Sequence, residues 1–196
     1  MGASASGLVV GPRDPRAGRW QRPALRYLLR AAAAMAVFYA ILYFPYPPGS
    51  LPVRALSWYL RRVAGASGAV IRLFDATARA RGDTVDGRFS LRIVLDCAAL
   101  DAHALLAAAV LAFPASWAQR AAGVLVGTLV VALANVSRIA ILYVVGVRWP
   151  ASFAVLHEDV LQLAIILATF LIFGAWIAWT RRPGAATTGA ALESSP

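Results

Sequence analysis

Residues 121–147 read AAGVLVGTLVVALANVSRIAILYVVGV, an apolar stretch whose only charged residue is Arg138. The stretch is long enough to cross the roughly 30 Å hydrocarbon core of a bilayer as a helix. The whole chain is 60% hydrophobic and only 14% charged, which is far from the profile of a soluble domain. The sequence therefore predicts an integral membrane protein.

Three other apolar segments resemble this one, and each ends at a proline or an arginine pair. A cleaved signal peptide is the alternative for the first of them, but its apolar stretch is longer than the 7 to 15 residues typical of such peptides. We therefore expect an anchor there and four membrane spans in all. The predicted spans are 24–44, 98–113, 121–147 and 153–179.

The two ends of the chain have a different composition. Residues 1–23 are rich in glycine, alanine, serine, proline and arginine, and residues 183–196 are of low complexity. Neither end has an apolar period, so both are predicted to be disordered. The membrane domain is predicted to occupy residues 24–182.

The segment between the first two spans contains two further elements. Arg54, Arg61 and Arg72 fall within about 20° of one another on a helical wheel, which is typical of an amphipathic helix lying in the membrane interface. Between Thr77 and Asp96, glycine-aspartate turn signals and alternating apolar residues indicate a hairpin. The predicted fold class is therefore an all-α integral membrane protein with four transmembrane helices, an interfacial amphipathic helix and a small extracytoplasmic β-hairpin.

The net charge of +10 comes from 19 basic residues, all of them arginine. They lie beside apolar runs, as expected for arginines held against anionic lipid headgroups, and we expect no nucleic-acid partner. Arginines flanking the predicted spans divide evenly between the two sides. Those next to the first span carry the most weight, and they predict that both termini face the cytoplasm.

Cys97 is the only cysteine in the chain, so it cannot form an intramolecular disulfide. It lies where the hairpin segment meets an apolar helix, whose positive N-terminal end would lower the pKa of a thiol. Asp96 and Asp101 would oppose that effect. Cys97 is either a reactive nucleophile or a small residue chosen for packing.

Arg138 and His157 are predicted to lie at the same depth as Cys97, in the outer leaflet. A charge within an apolar span is costly and usually faces a cavity or a partner, although an arginine near the end of a span can also extend to the headgroups. Asn135 stands three residues before Arg138 on the same helical face and could orient the guanidinium. A fixed guanidinium can stabilise an oxyanion.

His157 opens the last span and is a candidate general base, with Glu158 beside it to fix its tautomer. Asp101 and Glu158 are candidates for supporting roles. His103 is a rival base, but it stands about 120° from Cys97 around the helix. One cysteine and two histidines at these separations match no metal-ligand spacing, so no metal site is predicted.

The order Cys97, Asn135-Val136-Ser137-Arg138, His157 resembles the pattern of the exosortase/archaeosortase family. The segment from Phe113 to Trp117 also resembles the exosortase H branch. The similarity covers about residues 82–179. Ala98 and Ala99 depart from it, because family members commonly carry a serine-glycine pair after the cysteine.

The resemblance implies a cysteine transpeptidase or protease of the bacterial plasma membrane whose active site faces the periplasm. Its partners would be exported proteins with a C-terminal tag, made of a short motif, a membrane helix and a basic end, together with membrane lipid. Cys97 would form a thioester with the substrate, His157 would move the proton and Arg138 would stabilise the oxyanion. The resemblance implies no cofactor.

A hypothesis of a different class is a non-catalytic membrane scaffold or small transporter. In such a protein Arg138 would pair structurally and Cys97 would only pack. Cysteine substitutions distinguish the two hypotheses, because only the enzyme would lose activity.

Overall fold

The computed structural model describes residues 17–182 and is mostly helical. Residues 1–16 of the predicted leader and the whole predicted tail, 183–196, lie outside the described residues. The first helix begins at Ala17, within the segment predicted to be a disordered leader. The helices are α1 (Ala17–Leu42), α2 (Leu51–Ile71), α3 (Leu100–Ala112), α4 (Trp117–Arg148), α5 (Phe153–Val155) and α6 (Leu161–Thr180), and the strands are β1 (Arg79–Arg81), β2 (Thr84–Asp86) and β3 (Leu91–Arg92).

Within residues 17–182, three stretches of helix are long and apolar enough to cross a membrane. The predicted span 98–113 is instead the 13-residue helix α3, which is only about 20 Å long and too short for the hydrocarbon core. The residues before Leu100 belong to a separate turn, and Pro114 prevents α3 from extending at its C-terminal end. Four spans are therefore not confirmed. The three candidate spans are Pro23–Leu42, Trp117–Arg148 and Pro150–Thr180.

Helix α3 lies at the centre of the bundle, in contact with α1, α4 and α6. Gly123 and Gly127 of α4 allow this close packing, because a Cβ at either position would overlap the Trp176 indole or the Leu106 side chain. The Trp176 indole also donates a 3.0 Å hydrogen bond to the Gln119 carbonyl. Small residues at helix contacts of this kind are typical of membrane bundles.

Helix α2 packs on α4 and on the strands. The three strands form one antiparallel sheet in the order β1-β2-β3, so the predicted hairpin is present with a third strand added. The β1–β2 turn contains Gly82, whose φ of +61° suits glycine. Leu91 and Ile93 are buried, whereas Ser90 and Arg92 are exposed. Buried and exposed side chains therefore alternate as predicted, although only two of these residues form a strand.

A buried carboxylate joins the sheet region to α4. Asp75 accepts a 2.6 Å hydrogen bond from the Tyr143 hydroxyl and another of 2.6 Å from the Thr77 hydroxyl. The Tyr143 hydroxyl in turn accepts the Arg88 backbone N–H at 2.9 Å. The loop after α2, the segment between β2 and β3, and α4 are thus tied together.

The hydrogen bonds to Asp75 predict a specific loss of stability in acid. The hydrogen bonds from Thr77 and Tyr143 hold the pKa of Asp75 well below its ordinary value. The stabilisation is therefore complete above the unfolded pKa of about 3.9 and is lost as the pH falls through the lower folded pKa. We expect the melting temperature of the detergent-solubilised protein to fall below about pH 4. In Asp75→Asn the melting temperature should be lower at pH 7 and less sensitive to acid, and an unchanged acid response in that variant would contradict the assignment.

Candidate active site

Cys97 ends a single turn of 3-10 helix, Leu95–Cys97, that joins the sheet to α3. Its side chain is buried, and its sulfur lies 3.0 Å from Nε2 of His157. His157 lies in a π-helical turn, Leu156–Val160, between α5 and α6. Turns of this kind are frequent at functional sites. A thiol in hydrogen-bond contact with an imidazole is the arrangement that a cysteine nucleophile and its base require.

Arg138 connects the two segments that carry this pair. One terminal nitrogen of its guanidinium donates to the Asp96 carbonyl at 3.3 Å, and the other donates to the His157 carbonyl at 3.2 Å. The side chain is 4% exposed, and its Nε has no hydrogen-bond partner. No carboxylate of residues 17–182 forms an ion pair with it. The guanidinium thus places a positive charge that has no ion-pair partner within residues 17–182 near the thiol.

The turn that carries Cys97 is held by side chains from three helices. Four successive carbonyl groups, those of residues 96–99, each accept a hydrogen bond from a side chain, so the backbone beside the sulfur is fixed at every residue. Besides the Arg138 contact, the bonds are Asn135 Nδ2 to Cys97 O at 2.9 Å, Tyr59 OH to Ala98 O at 3.0 Å and His103 Nδ1 to Ala99 O at 2.7 Å. Because a carbonyl can only accept, Nδ1 of His103 must carry a proton in the last of these bonds.

Burial raises the pKa of the Cys97 thiol, and the Val94 backbone and the Arg138 guanidinium lower it by less. The sequence analysis weighed the helix N-terminus against the nearby acids and did not include the cost of burying a thiolate. Burial therefore favours the protonated thiol, and from that form the proton has to move to His157 during the attack.

Ala99 follows this turn in a left-handed conformation, with a φ of +52°. A side chain is strained there, whereas glycine is not. A glycine at this place would remove the strain, so the alanine is a cost to stability.

We expect Ala99→Gly to stabilise the protein by up to about 1 kcal/mol, because the left-handed conformation no longer opposes a Cβ. Thermal unfolding of the solubilised protein measures the change. Ala98→Gly is the matched control, since Ala98 has an ordinary right-handed helical conformation with a φ of −86°. That control should destabilise the protein, and a stabilisation of both variants would contradict the strain.

The structure brings Cys97, Arg138, His157 and Asn135 together, and it does not show the same for the two predicted supporting acids. Glu158 is exposed, and Asp101 is half-buried with one oxygen that lacks a partner. Neither is hydrogen-bonded to the cysteine, the arginine or the histidine. Their supporting roles stay predictions.

Tyr59 is a contact of the site that the sequence analysis missed. It lies on α2, 39 residues before the carbonyl that it binds, and it stands outside the arginine stripe used to interpret that helix. No local pattern marks such a residue. His103 was considered only as a rival base, and its ring instead binds the backbone of its own helix.

A family model described as a transmembrane exosortase, Exosortase_EpsH, matches residues 20–174. The matched region contains all four of the residues that the structure brings together. No curated protein and no solved structure matches the chain.

Proposed function

The chain belongs to the transmembrane exosortase family, and on this premise we propose that it is a membrane-embedded cysteine transpeptidase. The reaction would remove the C-terminal sorting signal of exported proteins and transfer them to an acceptor at the cell surface. The observation that carries the proposal is the 3.0 Å contact between the Cys97 sulfur and the His157 imidazole, beside the buried Arg138.

The first half of the proposed reaction forms a thioester. His157 Nε2 takes the thiol proton while the Cys97 sulfur attacks the peptide carbonyl. The negative charge that develops on the carbonyl oxygen is stabilised by the Arg138 guanidinium, which forms no ion pair within residues 17–182. His157 then returns the proton to the departing amine, the C–N bond breaks, and the sorting signal leaves with a free amino group.

The second half transfers the acyl group. An amine or other nucleophile of the acceptor loses its proton to His157 and attacks the thioester carbonyl. Arg138 again faces the oxyanion, and collapse of the intermediate breaks the C–S bond. The released thiolate takes the proton from His157 and regenerates the thiol, so the two half-reactions balance with no further reactant.

The depth of the site supports a reaction at the membrane boundary. Arg138 lies 21 residues beyond Trp117, the first residue of α4, or about 32 Å along the helix. If α4 starts at one face of the hydrocarbon core, the site lies at the other face. We propose that this face is the periplasmic one of a bacterial plasma membrane, where exported proteins arrive, and a tag with a membrane helix would present its motif at this level.

Co-expression tests the proposal. The substrate is an exported protein from the same genome whose C-terminus carries a short motif, an apolar helix and an arginine-rich end. We expect loss of the C-terminal helix, seen as a mass decrease, only when the chain is present and the motif is intact. Processing that does not depend on the chain, or no processing of any such protein, would refute the proposal.

A further inference from the structure

The imidazole of His157 is stacked on an aromatic ring. The Phe153 and His157 rings are nearly parallel, with an interplanar angle of 10° and centroids 5.7 Å apart. Phe153 lies one helical turn before His157, at the start of the irregular segment that leads into α6. It also packs against the buried cluster that contains Cys97. The two rings thus form an offset stack.

A second aromatic ring holds Phe153 in place. The Phe89 centroid lies 5.3 Å from that of Phe153. On its other side, Phe89 fits against Gly146 of α4, where a Cβ would come within 2.7 Å of three ring atoms. The backbone next to Phe89 is bound to Tyr143, since the Arg88 N–H donates to the tyrosine hydroxyl. The stack is therefore anchored to α4 and cannot shift without disturbing that helix.

Polar contacts fix the imidazole at one atom only. Nε2 faces the Cys97 sulfur, and within residues 17–182 Nδ1 has no hydrogen-bond partner. The neighbouring acids, Glu158 and Asp159, are exposed. A catalytic histidine is commonly oriented by a carboxylate or carbonyl at its second nitrogen. With no such partner here, rotation of the ring about its side-chain bond has to be limited by packing.

We propose that Phe153 is a positioning residue, whose ring, held by Phe89 against Gly146, fixes the rotation of the His157 imidazole so that Nε2 faces the Cys97 sulfur. The inference rests on the proposed function, in which His157 is the base. It adds to that function that an aromatic stack orients the His157 imidazole, a role that a carboxylate commonly has at catalytic histidines.

The single cysteine allows a test that needs no substrate, because alkylation by iodoacetamide then reports Cys97 alone. The readout is the ratio of the alkylation rates at pH 9.5 and pH 7.5 in the purified full-length chain. A change in access to the thiol alters the two rates by the same factor and therefore leaves their ratio unchanged. The other charged groups around the imidazole, Arg138, Asp96 and Glu158, stay the same in every variant.

We expect His157→Ala to increase this ratio about tenfold, because the thiol loses its base and reacts only as thiolate at high pH. Phe153→Leu should increase it at least about threefold, whereas Phe153→Tyr keeps a flat ring and should stay near the wild-type ratio. The matched control is Phe173→Leu. Phe173 stacks on Trp176 at 5.8 Å and 21° in α6, and its loss should leave the ratio unchanged.

Phe89→Leu provides a second variant in case Phe153→Leu does not fold. Since Phe89 only supports the stack, we expect a smaller increase in the ratio than for Phe153→Leu. A wild-type ratio in folded Phe153→Leu and Phe89→Leu, with a clear effect of His157→Ala, would overturn the positioning role alone. A wild-type ratio in His157→Ala would instead contradict the thiol–imidazole coupling and with it the proposed function.

Discussion

Replacing Cys97 by alanine is expected to reduce processing of a tagged substrate by about 10⁴-fold or more, since the covalent route disappears with the sulfur. Cys97→Ser should be nearly as inactive. Its hydroxyl can still bond to His157, but a hydroxyl is a much weaker nucleophile than a thiol at this site. The measurement is the initial rate of release of the C-terminal helix fragment, followed by mass spectrometry.

Both cysteine variants should fold, because the turn around Cys97 is held through its carbonyl groups and not through the sulfur. Melting temperatures close to that of the wild type would show this. Processing by the alanine variant at a tenth of the wild-type rate or more would exclude Cys97 as the nucleophile and favour a packing role.

Arg138→Lys is expected to lower the rate of thioester formation by about 10²- to 10³-fold, the usual cost of losing an oxyanion donor. The guanidinium reaches the Asp96 and His157 carbonyls with two different nitrogens. An ammonium has a single nitrogen and cannot span both while facing an oxyanion. Single-turnover kinetics with saturating substrate measure the effect.

Arg148→Lys is the matched control, because Arg148 is an exposed arginine at the end of the same helix. We expect it to change the rate by less than about twofold, as for a surface substitution away from the site. If both lysine variants kept the wild-type rate, Arg138 would have a structural role only.

Much of the helical framework could be predicted from the sequence, because membrane spans are marked by composition alone. The long apolar stretch around Arg138 and the one after His157 are helices close to the predicted bounds. The segment after Cys97 was predicted to be a full span, and this is not confirmed. The first residues of this segment form a separate turn with a left-handed Ala99, which leaves only 13 residues for α3. Apolar composition does not reveal such a turn.

Part of the candidate site could also be predicted from the sequence. A lone cysteine, a buried arginine and a histidine at matching depths can be read from spacing along helices. The contacts that orient them cannot, because Tyr59 and Phe89 reach the site from segments whose distance in sequence carries no periodic signal. The π-helical turn at His157 is equally hidden, since it depends on packing against the rest of the bundle.

The central claim is that the Cys97 sulfur carries the acyl group, and the most direct test is to find that group. Wild-type chain is incubated with tagged substrate in the absence of added acceptor, quenched with acid and analysed by intact mass spectrometry and peptide mapping. We predict an adduct equal in mass to the N-terminal product, attached at Cys97 and released by neutral hydroxylamine as expected of a thioester. Substrate fragment attached at any residue other than Cys97 would contradict the account.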